Sequence, residues 1–168
     1  MSGRRRLSWW ERALEPLVTS RPGAWFMLNV ANPLDRRLLR LTRGRVGVLM
    51  GQPVGLLETV GAKTGEARTT PLAYIEDADR VVLVASSGGA ARHPAWFHNL
   101  SANPEVHFSD RRGARRRYRA RLAEGPERER LWRAANDFYA GYDTYQGRTR
   151  GRRIPVVVLE PLARADAP

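Results

Sequence analysis

From residue 54 onward the apolar positions fall into short runs divided by glycine, proline and acidic turns. Val54–Val60 is the first run and ends in Gly61-Ala62-Lys63-Thr64-Gly65. A second runs from Arg68 through Ile75, and the turn Asp77-Ala78-Asp79 separates it from a third, Arg80–Ala85. That run breaks at Ser86-Ser87-Gly88-Gly89. Short runs punctuated in this way predict antiparallel β-strands. The period then changes. Trp96, Phe97 and Leu100 stand at helical spacing between Pro94, which suits a first helical turn, and Asn103-Pro104, which ends it. Strands are expected again at Glu105–Asp110 and at Ala114–Glu124. In the latter, arginines alternate with Tyr118, Ala120 and Leu122, and the basic face reads as a solvated sheet edge. Gly125-Pro126-Glu127 opens a helix to about Phe138, with an acid in its first turn. Tyr139, Tyr142 and Tyr145 follow at intervals of three, the spacing of one side of a helical turn. Ile154–Leu159 is the expected last strand, with Pro155 at a sheet edge or among its first residues. The pattern is that of an α+β domain.

The first fifty residues behave differently. The apolar residues Trp9, Trp10, Leu14, Leu17, Trp25, Phe26 and Leu28 are scattered among arginines, and Glu11, Arg12 and Glu15 interrupt any signal-peptide core. The uncharged stretch Pro22–Leu34 is short of the roughly 20 residues that cross a bilayer. Asp35–Leu41 reads as a short amphipathic helix, and a strand is expected near Arg45–Met50. The expected organisation is a basic amphipathic segment over 1–44, a barrel domain over 45–162 and a frayed tail over 163–168. The basic segment suits an anionic membrane surface, helices packed on the barrel or a partly ordered tail.

Composition narrows the chemistry. The 168 residues suffice for one domain, and the formal charge of +12 attracts anions. The chain lacks cysteine, which excludes disulfides, thiol catalysis and cysteine-ligated metal; His93, His98 and His107 make no zinc pattern, so no metal is expected. No RNP-like aromatic pair or recognition helix accompanies the charge, and nucleic acid is not an expected partner. Two turns carry candidate anion chemistry. In Gly61–Arg68, two glycines four apart permit positive φ, and successive N–H groups can form a concave nest. Lys63, Thr64 and Arg68 add an ammonium, a hydroxyl and a guanidinium, and Lys63 is the single lysine of the chain. The same residues also suit a plain hairpin turn with solvated cations. Ser86–Gly89, ahead of the Pro94 segment, is the second turn, with free N–H groups at the start of the helix behind it. Asn99 is open to three roles: cap, buried hydrogen-bond partner or ligand contact.

Taken together, Gly61-Ala62-Lys63-Thr64-Gly65 with Arg68 and Pro71, Ala85–Gly89, and Pro94–Pro104 resemble the deazaflavin-dependent nitroreductase family. The resemblance reaches about Pro161. It implies a split β-barrel of the FMN-binding-like kind, a mostly antiparallel sheet with a few flanking helices. It also implies coenzyme F420, an 8-hydroxy-5-deazaflavin with a phosphodiester and an oligoglutamate tail, as hydride donor. By that resemblance the cofactor-binding residues are Lys63, Thr64, Gly65, Arg68, Thr70, Pro71, Ala85, Ser86, Ser87, Gly88, Gly89, Pro94, Trp96 and Asn99. Ser86 and the three tyrosines, Tyr139, Tyr142 and Tyr145, are the candidates for handling a quinone or nitroaromatic acceptor. The tyrosines equally suit an aromatic patch closing the barrel. Some relatives carry a lysine at the position of Ser87 and many a tyrosine at that of Ala73; Arg92 is the nearby cation that offsets the first change. The implied protein is a cytoplasmic reductase, monomeric or homodimeric, with a peripheral site at the inner membrane face as an additional placement. An FMN-binding split-barrel oxidoreductase, a non-catalytic deazaflavin carrier and a polyanion-binding module are the alternatives.

Overall fold

A computed structural model describes residues 53–163. The basic segment 1–44, the helix and strand expected before residue 53, and residues 164–168 lie outside them. Within the described residues the chain forms β1 (Val54–Val60), β2 (Ala67–Ala73), β3 (Ile75–Asp77) and β4 (Arg80–Val84). A 3-10 turn at Ser87–Gly89 and helix α1 (Ala95–Ala102) follow, then β5 (Glu105–Ser109) and β6 (Arg115–Leu122). Helices α2 (Gly125–Phe138) and α3 (Gly141–Arg148) lead to β7 (Val156–Pro161).

All seven strands join one antiparallel sheet in the order β2-β1-β5-β6-β7-β4-β3. Its two end strands, β2 and β3, are separated in sequence by Tyr74 alone. One residue reaches only about 3.5 Å. The sheet therefore curls until its ends meet at Tyr74, and this makes it a half-barrel of the split-barrel kind. Tyr74 is a buried corner: its N–H donates to the Pro53 carbonyl at 3.2 Å, and its hydroxyl accepts from the Arg111 N–H at 3.3 Å. Its ring meets Phe108 edge-on at 5.2 Å.

The apolar run in β7 reads as it does because both its faces are covered. Val157 and Leu159 point into the barrel with Leu57, Val81, Leu83, Phe108 and Tyr118. Val156 and Val158 point outward with Val82 against Leu131 of α2. Each such fully buried side chain contributes about 1.5–3 kcal/mol. Pro155 accordingly stands just before β7, a central strand between β6 and β4, and not at an edge. It is admitted there because it precedes the ladder, where its missing N–H costs nothing, while its carbonyl accepts from Ala85 N–H at 3.0 Å.

β6 is likewise central and not the solvated edge its arginines suggest. Acids on neighbouring elements take up its outward guanidinium groups. Arg115 binds both oxygens of Glu58 (2.9 and 2.8 Å), Arg117 and Arg119 share Glu105, and Arg121 reaches Glu127 and Glu160. Arg115 holds the Glu58 carboxyl below the ordinary carboxylate range, chiefly through this hydrogen bond. Among the described residues no helix is long and apolar enough to cross a membrane.

Candidate functional site

Helix α1 links the two anion turns. Its chain arrives directly from the Ser87–Gly89 turn, and Pro94 stands at its N-cap instead of inside its first turn. Just over one helical turn into α1, Asn99 reaches the first cradle. The Asn99 Oδ1 accepts from the Ala62 N–H at 3.1 Å, and its Nδ2 donates to Thr59 Oγ1 at 3.2 Å. Of the three roles open to Asn99, the amide therefore fills that of a hydrogen-bond partner, tying α1 to the loop after β1. Trp96 and Ala85 are buried in the barrel core, Trp96 with Leu100.

The first cradle is a closed turn. Gly65 N–H donates to the Gly61 carbonyl and Gly61 N–H to the Glu66 carbonyl, both at 2.8 Å, with Gly65 at φ 69°. These bonds use two N–H groups the turn would otherwise offer to a ligand. Lys63, Thr64 and Arg68 all stand exposed on it, and Arg68 is paired with Glu66 at 2.5 Å. Thr70 and Pro71 follow in β2, opposite Leu57 and Leu56 of β1, with Pro71 buried.

The second cradle is more unusual in its backbone. Ser86 is right-handed helical (φ −67°, ψ −39°), while Ser87, Gly88 and Gly89 all have positive φ at 52°, 62° and 80°. A right-handed residue followed by a left-handed one directs successive N–H groups to one side, an anion-binding nest. The internal bonds of the turn run from Gly89 N–H to Ser86 and from Ala90 N–H to Ser87. The N–H groups of Ser87 and Gly88 take no part in them, as expected for the first positions of a 3-10 turn.

Helix α3 closes over this turn. A Cβ built on Gly89 would stand 2.9 Å from the Tyr145 carbonyl oxygen and 3.0 Å from Arg148 Cβ. Arg148 lies over the Tyr145 ring, 6.0 Å from its centroid, and its Nη1 is buried without a hydrogen-bond partner among the described residues. Among the described residues that guanidinium nitrogen meets no acceptor of the kind buried polar groups normally have.

Tyr142 and Tyr145 sit on the same helix and Tyr139 just before it, and the three differ in exposure. Tyr142 and Tyr145 are each 8% exposed, in a cluster with Ala135 and Ile154, and burial raises the Tyr142 phenol pKa further above its ordinary value. Tyr139, just before α3, is half-buried. Its ring folds back over Gly141, where a Cβ would meet it at 2.3 Å, and its hydroxyl lies 3.0 Å from that of Tyr145. Ser86 is half-buried at the nest.

Arg152 and Arg148 carry no distinguishing signal in a chain so rich in arginine, and sequence reasoning passes over both. Arg152, in the loop between α3 and β7, donates to the carbonyls of Ala85 (3.2 Å), Ser86 (2.8 Å) and Ala90 (3.1 and 2.8 Å). That loop is itself held by Gln146, whose Nε2 donates to the Arg152 carbonyl and whose Oε1 accepts from Ile154 N–H, both at 2.8 Å.

An anionic cofactor fits this donor set. The exposed ammonium of Lys63, the partly paired Arg68, the nest at Ser87 and Gly88, and the orphaned Nη1 of Arg148 offer hydrogen-bond donors and positive charge. The family model described as F420H(2)-dependent quinone reductase matches residues 34–161. An F420H(2)-dependent quinone reductase of Mycobacterium tuberculosis is 43% identical over 132 residues, 75% of this chain and 87% of that protein. A solved F420-H2 dependent reductase, FDR-A, shares 40% identity and superimposes with a TM-score of 0.58, covering 64% of this chain and 93% of its own. A second structure, described as a domain-swapped dimer, gives 36% identity and a TM-score of 0.61 over 76% of this chain and 96% of its own.

Proposed function

We propose that this chain, which belongs to the F420H(2)-dependent quinone reductase family, takes a hydride from reduced coenzyme F420 and delivers it to a quinone or a similarly electron-poor nitroaromatic. It is an F420H(2)-dependent oxidoreductase, and the family names F420, with no support for FMN. The observation that carries the reading is the left-handed turn Ser87–Gly89 lying under α3, whose Arg148 has a buried guanidinium nitrogen without a partner among the described residues.

When bound, the reduced deazaflavin supplies the hydride. The chain's own residues supply binding and a proton. Lys63, Thr64 and Arg68 bind the phosphodiester and glutamates of the tail. The N–H groups of Ser87 and Gly88 and the Arg148 guanidinium donate to an anionic or carbonyl oxygen. A quinone that gains a hydride also needs one proton at an oxygen. We assign that proton to Tyr139, a half-buried residue whose hydroxyl is hydrogen-bonded to that of Tyr145. Giving up that proton leaves a phenolate, which solvent reprotonates at neutral pH because an ordinary phenol has a pKa of about 10. Burial on α3 keeps Tyr142 and Tyr145 as the wall that holds Tyr139 in place. The relative described as a domain-swapped dimer favours a homodimer over a monomer.

Lys63→Ala is expected to weaken F420 binding about three- to tenfold, the worth of an exposed charge pair of roughly 0.7–1.4 kcal/mol. Arg68→Ala should cost less, because Glu66 already neutralises part of that guanidinium. Both losses should shrink at high salt and grow with the number of glutamates in the tail. Fluorescence titration of F420 at two salt concentrations measures this. Binding by both variants at the parent's affinity and salt slope would remove the first cradle from the site.

A further inference from the structure

We infer that Arg152 is a positioning residue for the cofactor site: its guanidinium grips the second cradle from behind and turns the Ser87 N–H toward the ligand. The inference rests on the reading of that cradle as part of the F420 site. Five hydrogen-bond contacts carry it. Nη2 reaches the carbonyls of Ser86 and Ala90 at 2.8 Å each, Nε reaches Ala90 at 3.1 Å, and Nη1 reaches Ala85 at 3.2 Å. The fifth joins Nη1 to His93 Nδ1 at 3.1 Å. Arginine carries no acceptor, so His93 must accept there with an unprotonated Nδ1. Burial and the neighbouring Arg152 charge both push the His93 pKa down, in keeping with a neutral ring.

The physical consequence concerns direction and charge. Peptide carbonyl and N–H point opposite ways across each planar unit. The carbonyl of Ser86 shares its peptide plane with the N–H of Ser87, so a guanidinium drawing the carbonyl to one side sends that N–H to the other. The Ala85 carbonyl is linked in the same way to the Ser86 N–H, which donates to the Val84 carbonyl at 2.9 Å. Arg152 thereby stabilises the right-handed to left-handed step at Ser86–Ser87 that opens the nest. It also places a permanent positive charge behind a concavity built for anions, in surroundings where screening is reduced. The Arg152 backbone is fixed in turn. Its carbonyl accepts from Gln146 Nε2 at 2.8 Å and from Thr149 Oγ1 at 2.6 Å, and Thr149 is buried. Helix α3, the clamp and the cradle thus form one mechanical unit.

The test uses the full chain with Arg152→Met and Arg152→Lys. Arg152→Met keeps the aliphatic stem and removes every donor; lysine restores the charge but only part of the fork. The KM for F420H(2) is expected to rise at least about tenfold in Arg152→Met, the loss of one charge-assisted hydrogen bond or more. Arg152→Lys should fall between it and the parent, and kcat at saturating cofactor should stay within about twofold in both. Parent-like KM in both variants, or a fall in kcat at unchanged KM, overturns the inference while leaving the proposed function standing. A second readout does not need the cofactor: amide resonances of Ser87 and Gly88 are followed during titration with inorganic phosphate. They should shift in the parent and not in Arg152→Met, with the barrel amides of β4 and β7 unchanged. Should the parent fail to bind F420, the proposed function fails, and this titration alone decides the clamp: no shift in the parent, or an equal shift in the variant, overturns it.

Discussion

Gly89→Ala is expected to lower F420 affinity by more than tenfold and to lower the melting temperature by roughly 5–10 °C. Gly89 is at φ 80°, where an alanine costs on the order of 1 kcal/mol in backbone strain. The added methyl would also stand 2.9 Å from the Tyr145 carbonyl oxygen and 3.2 Å from Tyr145 Cα. Both are backbone atoms of α3 and cannot swing aside as a side-chain tip would. The helix must move, at a packing cost of about 1–3 kcal/mol. The sum, roughly 2–4 kcal/mol, corresponds to several degrees in a domain of this size. Displacing α3 also disturbs Arg148 and the cluster that its Tyr142 and Tyr145 form with Ile154. Differential scanning calorimetry together with an F420 titration reads both effects. If the variant melts and binds like the parent, α3 does not rest on this turn.

Tyr139→Phe is expected to lower turnover of quinone and nitroaromatic acceptors about five- to hundredfold while leaving F420 affinity close to the parent's. The substitution removes one hydroxyl and keeps the ring over Gly141. The loss is that of one or two hydrogen bonds at the reacting oxygen, about 1–3 kcal/mol. Tyr142→Phe should change turnover little, because the Tyr142 ring is buried among Ala135, Tyr145 and Ile154 and its role is packing. Its truncation to alanine should instead destabilise the chain by about 3–5 kcal/mol. Single-turnover rates measured with all three proteins separate the two roles. Equal rates for the parent and Tyr139→Phe would take the proton from Tyr139 and assign it elsewhere.

Most of the strands were legible because their hydrophobic spacing and turn chemistry agree. The run Val54–Val60 and the helix between Gly125 and Phe138 have the bounds of β1 and α2. Placement in the sheet was not legible in the same way. An alternating Arg–apolar strand looks like an edge when its acidic partners, Glu58, Glu105, Glu127 and Glu160, are scattered over a hundred residues of sequence. Only the fold brings them together over β6. The single-residue corner at Tyr74 looks in sequence like part of one continuous strand, since apolar character runs through it to Ile75. Its effect, joining the two ends of the sheet, is a property of topology.

The site divides along similar lines. Glycine pairs, the lone Lys63 and the spaced tyrosines are visible by composition. Arg148 and Arg152 are not, because an arginine that binds carbonyls or waits for an anion has the same letter as the solvated ones. Asn99 stands out in sequence, but its two partners, Thr59 and Ala62, lie some forty residues away and meet it only because α1 packs against β1.

The central claim is that this chain binds and oxidises F420H(2), and one measurement addresses it most directly. Purified full-length protein is melted in the presence of F420 or of FMN, each at several concentrations, and the same sample is then assayed for F420H(2) oxidation by a quinone such as menadione. F420 at about 100 times its dissociation constant should stabilise the fold by roughly 2.7 kcal/mol, and FMN should do so far less. F420H(2) absorbance should fall only when both protein and quinone are present. Stabilisation by FMN without stabilisation by F420, or no F420H(2) oxidation by a protein that melts cooperatively, would contradict the account.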